Sequence, residues 1–105
     1  MGSISKLKRG VIEQLLTLED FILVVILPTT DGVKLPDDLM KAGEPVGINI
    51  GFKMAIPIPD LKIDDGGISG TLSFNRTPFP CVFPWRAIVQ VSADLEHMIW
   101  VEPLP

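Results

Sequence analysis

Apolar residues recur at helical spacing near the start of the chain. They form one wide stripe, made of Leu7, Val11, Ile12, Leu15, Leu16 and Leu18. This spacing predicts an amphipathic helix over residues 5–18, with Ser3 or Ser5 capping its start. The stripe is wider than one packing face requires. We therefore expect the helix to pair with a second copy in a homodimer, through Leu7, Val11, Leu15 and Leu18.

Short apolar runs between turn residues predict strands in the rest of the chain. The run at 21–27 has the β-branched density of a strand that is buried on both faces. Val46, Ile48 and Ile50 instead alternate with small or polar residues, as in a strand with one buried face. Turn residues predict that the remaining strands lie at 61–63, 68–74, 79–83, 88–93 and 98–101.

These elements predict a mainly β fold with one N-terminal helix. A short helical segment over 35–43, with Pro36 near its start and Gly43 at its end, interrupts the strands. We expect one domain over 1–105, in which about five short strands at 21–102 form a small barrel or sandwich.

Composition narrows the class of protein. The chain has 105 residues, of which 47% are hydrophobic, enough for one small core. Its apolar run at 21–27 is too short to span a bilayer, and its first residues lack a signal-peptide core. A single cysteine, Cys81, indicates a reducing, cytoplasmic environment. The net charge of -4 argues against an extended nucleic-acid surface.

No polar cluster has the spacing of a catalytic, metal or cofactor site. The adjacent carboxylates Asp37-Asp38 and Asp64-Asp65 lie in predicted turns, which favours solvated turn residues over an acid–base pair. Cys81 lies within a predicted strand, so we expect it to pack as an apolar residue and not to pair with His97. The basic cluster at 6–9 is interpreted as a solvated end of the first helix. We therefore predict no enzymatic activity and no cofactor.

Large apolar side chains are numerous for so small a domain. Most must be core, but a small barrel cannot bury all of them, so an exposed apolar groove is the open alternative. The residues concerned are Phe52, Met54, Ile56, Phe74, Phe79, Phe83, Trp85 and Trp100.

The segment at 67–89 carries a resemblance to a known family. It combines a predicted hairpin with the sequence Phe83-Pro84-Trp85-Arg86-Ala87-Ile88. Upstream lie Leu27-Pro28, the segment Gly32-Val33-Lys34-Leu35-Pro36 and the strand Val46–Ile50. In this order and spacing, the chain over 8–103 resembles the stringent starvation protein B family.

The resemblance implies an Sm-like β-barrel whose leading helix pairs two subunits. Members of that family bind degradation-tag peptides, among them the tag that the ribosome-rescue system adds to stalled nascent chains. They deliver these peptides to the ClpX unfoldase of the ClpXP protease, without catalytic residues of their own. The peptide-binding positions that it implies here are Asn49, Ile50, Gly51, Phe52, Leu72 and Phe74.

Two features depart from the family pattern. Family members usually carry a long acidic tail that docks ClpX, whereas this sequence stops at Val101-Glu102-Pro103-Leu104-Pro105. Leu72 also stands where some relatives have a small residue, which leaves the identity of the tag open. The alternative functions are an Sm-like RNA-binding module, which the charge balance disfavours, and another kind of protein-interaction module.

Overall fold

The computed structural model describes residues 2–54 and 58–93, and the backbone of 96–99. Two α-helices and a 3₁₀ helix lie among seven strands within these residues. The helices are α1 (Ser3–Leu18), α2 (Asp37–Ala42) and the 3₁₀ helix Trp85–Ala87. The strands are β1 (Ile22–Ile26), β2 (Val46–Ile50), β3 (Lys62–Asp64), β4 (Gly67–Phe74), β5 (Thr77–Phe83), β6 (Ile88–Ala93) and β7 (Glu96–Ile99). The predicted mainly β fold with one N-terminal helix is confirmed.

The strands form two antiparallel sheets. One sheet has four strands in the order β2-β1-β6-β7, and the other has three in the order β3-β4-β5. The segment after β1 joins the second sheet through a bridge between Lys34 and Val82. No helix in the described part of the chain is both long and apolar enough to cross a membrane.

The described strands do not close into the expected barrel. The pairing of β3 with β4 covers only Gly67 to Ser69 of β4. The outer edge of β2 likewise has no strand partner among the described residues. A gap therefore separates β2 from the second half of β4.

The core lies between the two sheets and α1. Along β1, Ile22, Val24 and Ile26 are buried, whereas Leu23 and Val25 are only partly buried. The prediction that this strand is buried on both faces is therefore wrong, because the described residues fully cover only one of its faces. The alternation predicted for β2 is confirmed, with Ile48 and Ile50 buried.

The N-terminal end of α1 differs from the prediction. The helix starts at Ser3, and Gly2 is the N-cap residue without a side-chain hydrogen bond, so neither serine caps it. The basic cluster is not wholly solvated either, because Lys8 is fully buried. Its Nζ donates to the carbonyl oxygen of Trp85 at 2.9 Å, and Arg9 Nη1 donates to Asp65 Oδ1 at 2.6 Å. These contacts attach α1 to the 3₁₀ helix and to the β3–β4 turn.

The β4–β5 hairpin is longer than predicted. Its loop has two residues, Asn75 and Arg76, with φ of 51° and 68°. Both residues adopt the left-handed conformation that a tight hairpin turn of this length requires. Phe74 consequently pairs with Thr77, and β5 begins two residues before the predicted Phe79.

Candidate functional site

A groove lies where β2 of the first sheet faces the second half of β4. Its volume is about 330 Å³. The lining combines apolar side chains with neutral polar ones, namely Gly47, Ile48, Asn49, Met54, Ile58, Thr71, Leu72, Ser73 and Phe74. A site of this composition suits an uncharged, partly apolar ligand.

One wall of the groove is a strand edge without a partner. Phe74 and Thr77 flank a two-residue turn, so their backbone groups form hydrogen bonds with each other. Hydrogen bonds between β4 and β5 then recur at every second residue of β4. The backbone of Leu72 is therefore hydrogen-bonded to β5, whereas the backbone N–H and C=O groups of Thr71 and Ser73 point away from β5. The Thr71 N–H indeed donates to Asp60 Oδ1 at 2.8 Å. The backbone of Ser73 has no strand partner on this side among the described residues.

The other edge of this sheet is closed to a further strand. Pro78 and Pro80 lie opposite Ser73 and Thr71, at positions whose N–H groups would point outward, and proline has none. The next such position, Val82, already exchanges backbone hydrogen bonds with Lys34 at 3.0 and 3.2 Å. Among the described residues, a strand added to the β4–β5 hairpin can therefore pair only on the groove side of β4.

Asp60 holds the turn that forms one end of the groove. Its Oδ1 accepts from the Thr71 N–H, and its Oδ2 accepts from Thr71 Oγ1 at 2.7 Å. The backbone hydrogen bond from Thr71 is the main reason that the pKa of Asp60 lies below its ordinary value, and the hydroxyl adds to the effect. The ionised carboxylate thus ties this turn, including Ile58, to β4.

Three of the six predicted peptide-binding residues line the groove: Asn49, Leu72 and Phe74. Leu72 also packs against the edge of the core, so it contributes to both. The other three lie outside the groove lining. Ile50 is buried in the core, because strand alternation turns it away from Asn49. Gly51 follows the end of β2 and packs against the backbone of Asp20 and Phe21, just before β1. Phe52 is 62% exposed beyond the end of β2.

Gly51 and Gly70 lie near the groove but are in close contact with the chain itself, whereas Gly47 lines the groove. A Cβ atom on Gly51 would collide with the backbone of Asp20 and Phe21. A Cβ atom on Gly70 would lie 2.9 Å from Ile58 Cγ2. The space in the groove lies beside the unpaired edge of β4.

Met54, one of the large apolar residues considered for an exposed groove, lines it, whereas sequence reasoning missed Ile48, Ile58, Thr71 and Ser73. For Thr71 and Ser73 a signal exists, because they alternate with Leu72 and Phe74 along one strand. Ile58 enters the groove through the contact between Asp60 and Thr71, and no short-range pattern marks that contact.

Cys81 has the surroundings of a structural residue and not those of a reactive thiol. Cys81 is buried, and burial raises the pKa of its thiol to about 11, which disfavours the thiolate. Its packing as a small apolar residue is therefore confirmed. His97 pairs with Ser92 through β7, and its side chain lies outside the described residues. No group of three potential metal ligands comes together in the described part of the chain.

Comparison with known protein families and with curated proteins finds no match for this chain.

Proposed function

We propose that this protein is an adaptor that binds an extended degradation-tag peptide and brings it to the ClpX unfoldase. The observation that carries the proposal is the groove between β2 and β4, which combines apolar side chains with an unpaired strand edge. The resemblance of the chain to the stringent starvation protein B family supplies the identity of the peptide and of the unfoldase.

Binding would occur by strand addition. A peptide backbone would bond to the free side of Ser73, and alternate peptide side chains would contact Leu72 and Phe74. Since β2 forms the opposite wall, a bound strand would bridge the two sheets. In this proposal the bound strand would close the gap and complete an Sm-like barrel.

Pairing of two subunits through α1 belongs to the same proposal. Leu7 is 57% exposed and Leu18 is 70% exposed, whereas Ile12 and Leu16 on the neighbouring face are buried. Val11 and Leu15 are partly buried between these faces. An exposed apolar stripe along one helix supports a homodimer with an isologous contact. A cytoplasmic location follows from the proposed partner, ClpX.

The direct test is a fluorescence anisotropy titration with a labelled ribosome-rescue tag peptide. Leu72→Gln should weaken binding about tenfold, because an amide replaces apolar surface at a cost of roughly 1–3 kcal/mol. Phe52→Gln is the matched control, because Phe52 is exposed and lies outside the groove. The Phe52→Gln variant should bind the peptide with the same affinity as the wild type.

Melting curves separate a binding defect from a folding defect. If Leu72→Gln strongly lowers the melting temperature, the loss of affinity reflects a folding defect and is not evidence that Leu72 contacts the peptide. If the folded wild type fails to bind the peptide at micromolar concentration, the proposal is wrong. A labelled RNA oligomer in the same assay tests the alternative function, and binding of RNA alone would favour it.

A further inference from the structure

A second groove lies on the other side of the hairpin tip. Its volume is about 320 Å³. The lining residues come from α2, from the segment before it and from the hairpin, and they are Pro36, Asp38, Leu39, Phe74, Asn75, Thr77 and Phe79. Phe74 lines both grooves. The two grooves are therefore neighbouring compartments that meet at one aromatic side chain.

The position of α2 follows from the pairing of the preceding segment with β5. Lys34 bridges to Val82, but the next position along the edge is Pro80, which lacks an N–H donor. Pairing stops there, and the chain leaves β5 at Pro36 to begin α2. The space between α2 and the hairpin tip is the second groove.

The walls of this groove combine aromatic surface with one negative charge. Phe74 and Phe79 lie on the same face of the hairpin, diagonally across the β4–β5 pair. Asp38 supplies a carboxylate beside them. No lysine or arginine within the described residues forms an ion pair with Asp38. Aromatic faces and a carboxylate together favour a cation that is carried on an apolar stem.

We propose that the second groove is a subsite for a lysine or arginine side chain of the peptide bound along β4. The inference rests on the proposed function, since the subsite adjoins the first groove at Phe74. The aliphatic stem of the basic residue packs between Leu39 and the two phenylalanines, and its charged end faces Asp38. The subsite thus selects a peptide with a basic residue beyond its strand-forming part.

The chain supplies a matched control for this charge. Asp37 and Asp38 are adjacent and exposed, and both lie in the first turn of α2. Only Asp38 lines the groove. Asp37→Asn and Asp38→Asn therefore remove the same charge from nearly the same place, and they differ only in contact with the groove.

The experiment uses the labelled rescue-tag peptide in two substituted series. One series carries lysine at each position in turn, and the other carries norleucine, which keeps the stem and removes the charge. At one position lysine should bind about fivefold more tightly than norleucine. Asp38→Asn should abolish this preference, and Asp37→Asn should retain it.

The outcomes distinguish this inference from the proposed function. If the parent peptide binds but lysine never exceeds norleucine, the subsite is refuted and the adaptor proposal stands. An equal loss of preference in Asp37→Asn and Asp38→Asn would refute the subsite as well, because it would indicate general attraction to an acidic surface. If no peptide of either series binds, both proposals fail.

Discussion

The contribution of Lys8 to the stability of this protein should increase as the pH rises above neutral. Burial, and secondarily the positive charge of Arg86, lower the pKa of Lys8 from 10.5 to about 8 in the folded state. Between these pH values the unfolded chain binds more protons than the folded chain. The free energy of unfolding should therefore rise with pH through this window, whereas below pH 8 the charged, buried ammonium destabilises the fold.

The magnitude follows from the shift in pKa. At 1.36 kcal/mol per pKa unit, the full effect of Lys8 is about 3 kcal/mol, of which about 1 kcal/mol should appear between pH 7 and 9. Cys81 acts in the opposite sense, because burial raises its pKa from 9.0 to about 11. The unfolded chain loses this proton first, so the thiol lowers stability as pH rises from 9 to 11. The two effects largely cancel above pH 9.

Urea unfolding of a Cys81→Ala protein isolates the contribution of Lys8. Its free energy of unfolding should rise by about 1 kcal/mol between pH 7 and 9 and continue to rise toward pH 10.5. The double variant with Lys8→Met should lose this rise, although it also leaves the Trp85 carbonyl without its donor. A flat or falling profile in the single variant, or an undiminished rise in the double variant, would refute the reasoning.

The remaining stability and assembly predictions concern a turn and the first helix. Gly67 has φ of 136°, and a Cβ atom there would collide with the Phe83 carbonyl, so Gly67→Ala should destabilise by about 2–4 kcal/mol in urea unfolding. Gly66→Ala in the same turn is the control and should cost far less. Leu7→Glu with Leu18→Glu should convert a dimer into a monomer in sedimentation experiments, whereas Lys6→Glu should not. A monomeric wild type at micromolar concentration would contradict the helix interface.

Short-range patterns predicted much of the architecture. The alternation of Ile48 and Ile50 gave β2 its correct buried face. Gly43 ends α2 in the left-handed conformation, as its position predicted. The Asp65-Gly66 turn joins β3 to β4, where Asp64-Asp65 was predicted to lie in a turn. In each case the residues that determine the structure are neighbours in sequence, so a short-range pattern is enough to predict it.

Contacts between distant segments could not be predicted in this way. Lys8 looked like part of a solvated cluster, because its burial depends on Trp85, 77 residues away. No short-range pattern marks Asp60, yet it accepts hydrogen bonds from Thr71 through both carboxylate oxygens. Polar residues within amphipathic elements often have a tertiary partner, but the sequence does not identify that partner.

The candidate site depends on where strand pairing stops, and hydrophobic periodicity does not report this. The predicted strand at 79–83 contains Pro80 and begins just after Pro78, and periodicity does not show which way their backbone groups point. In the hairpin they occupy outward-facing positions, where the missing N–H is no loss to β4. They close the outer edge of β5, and the short β3 leaves the opposite edge of β4 open. Among the described residues, the β4–β5 hairpin thereby has one direction in which a further strand can be added. That direction faces β2 across the groove, so the same chain features that prevent edge-to-edge association also define the proposed peptide site.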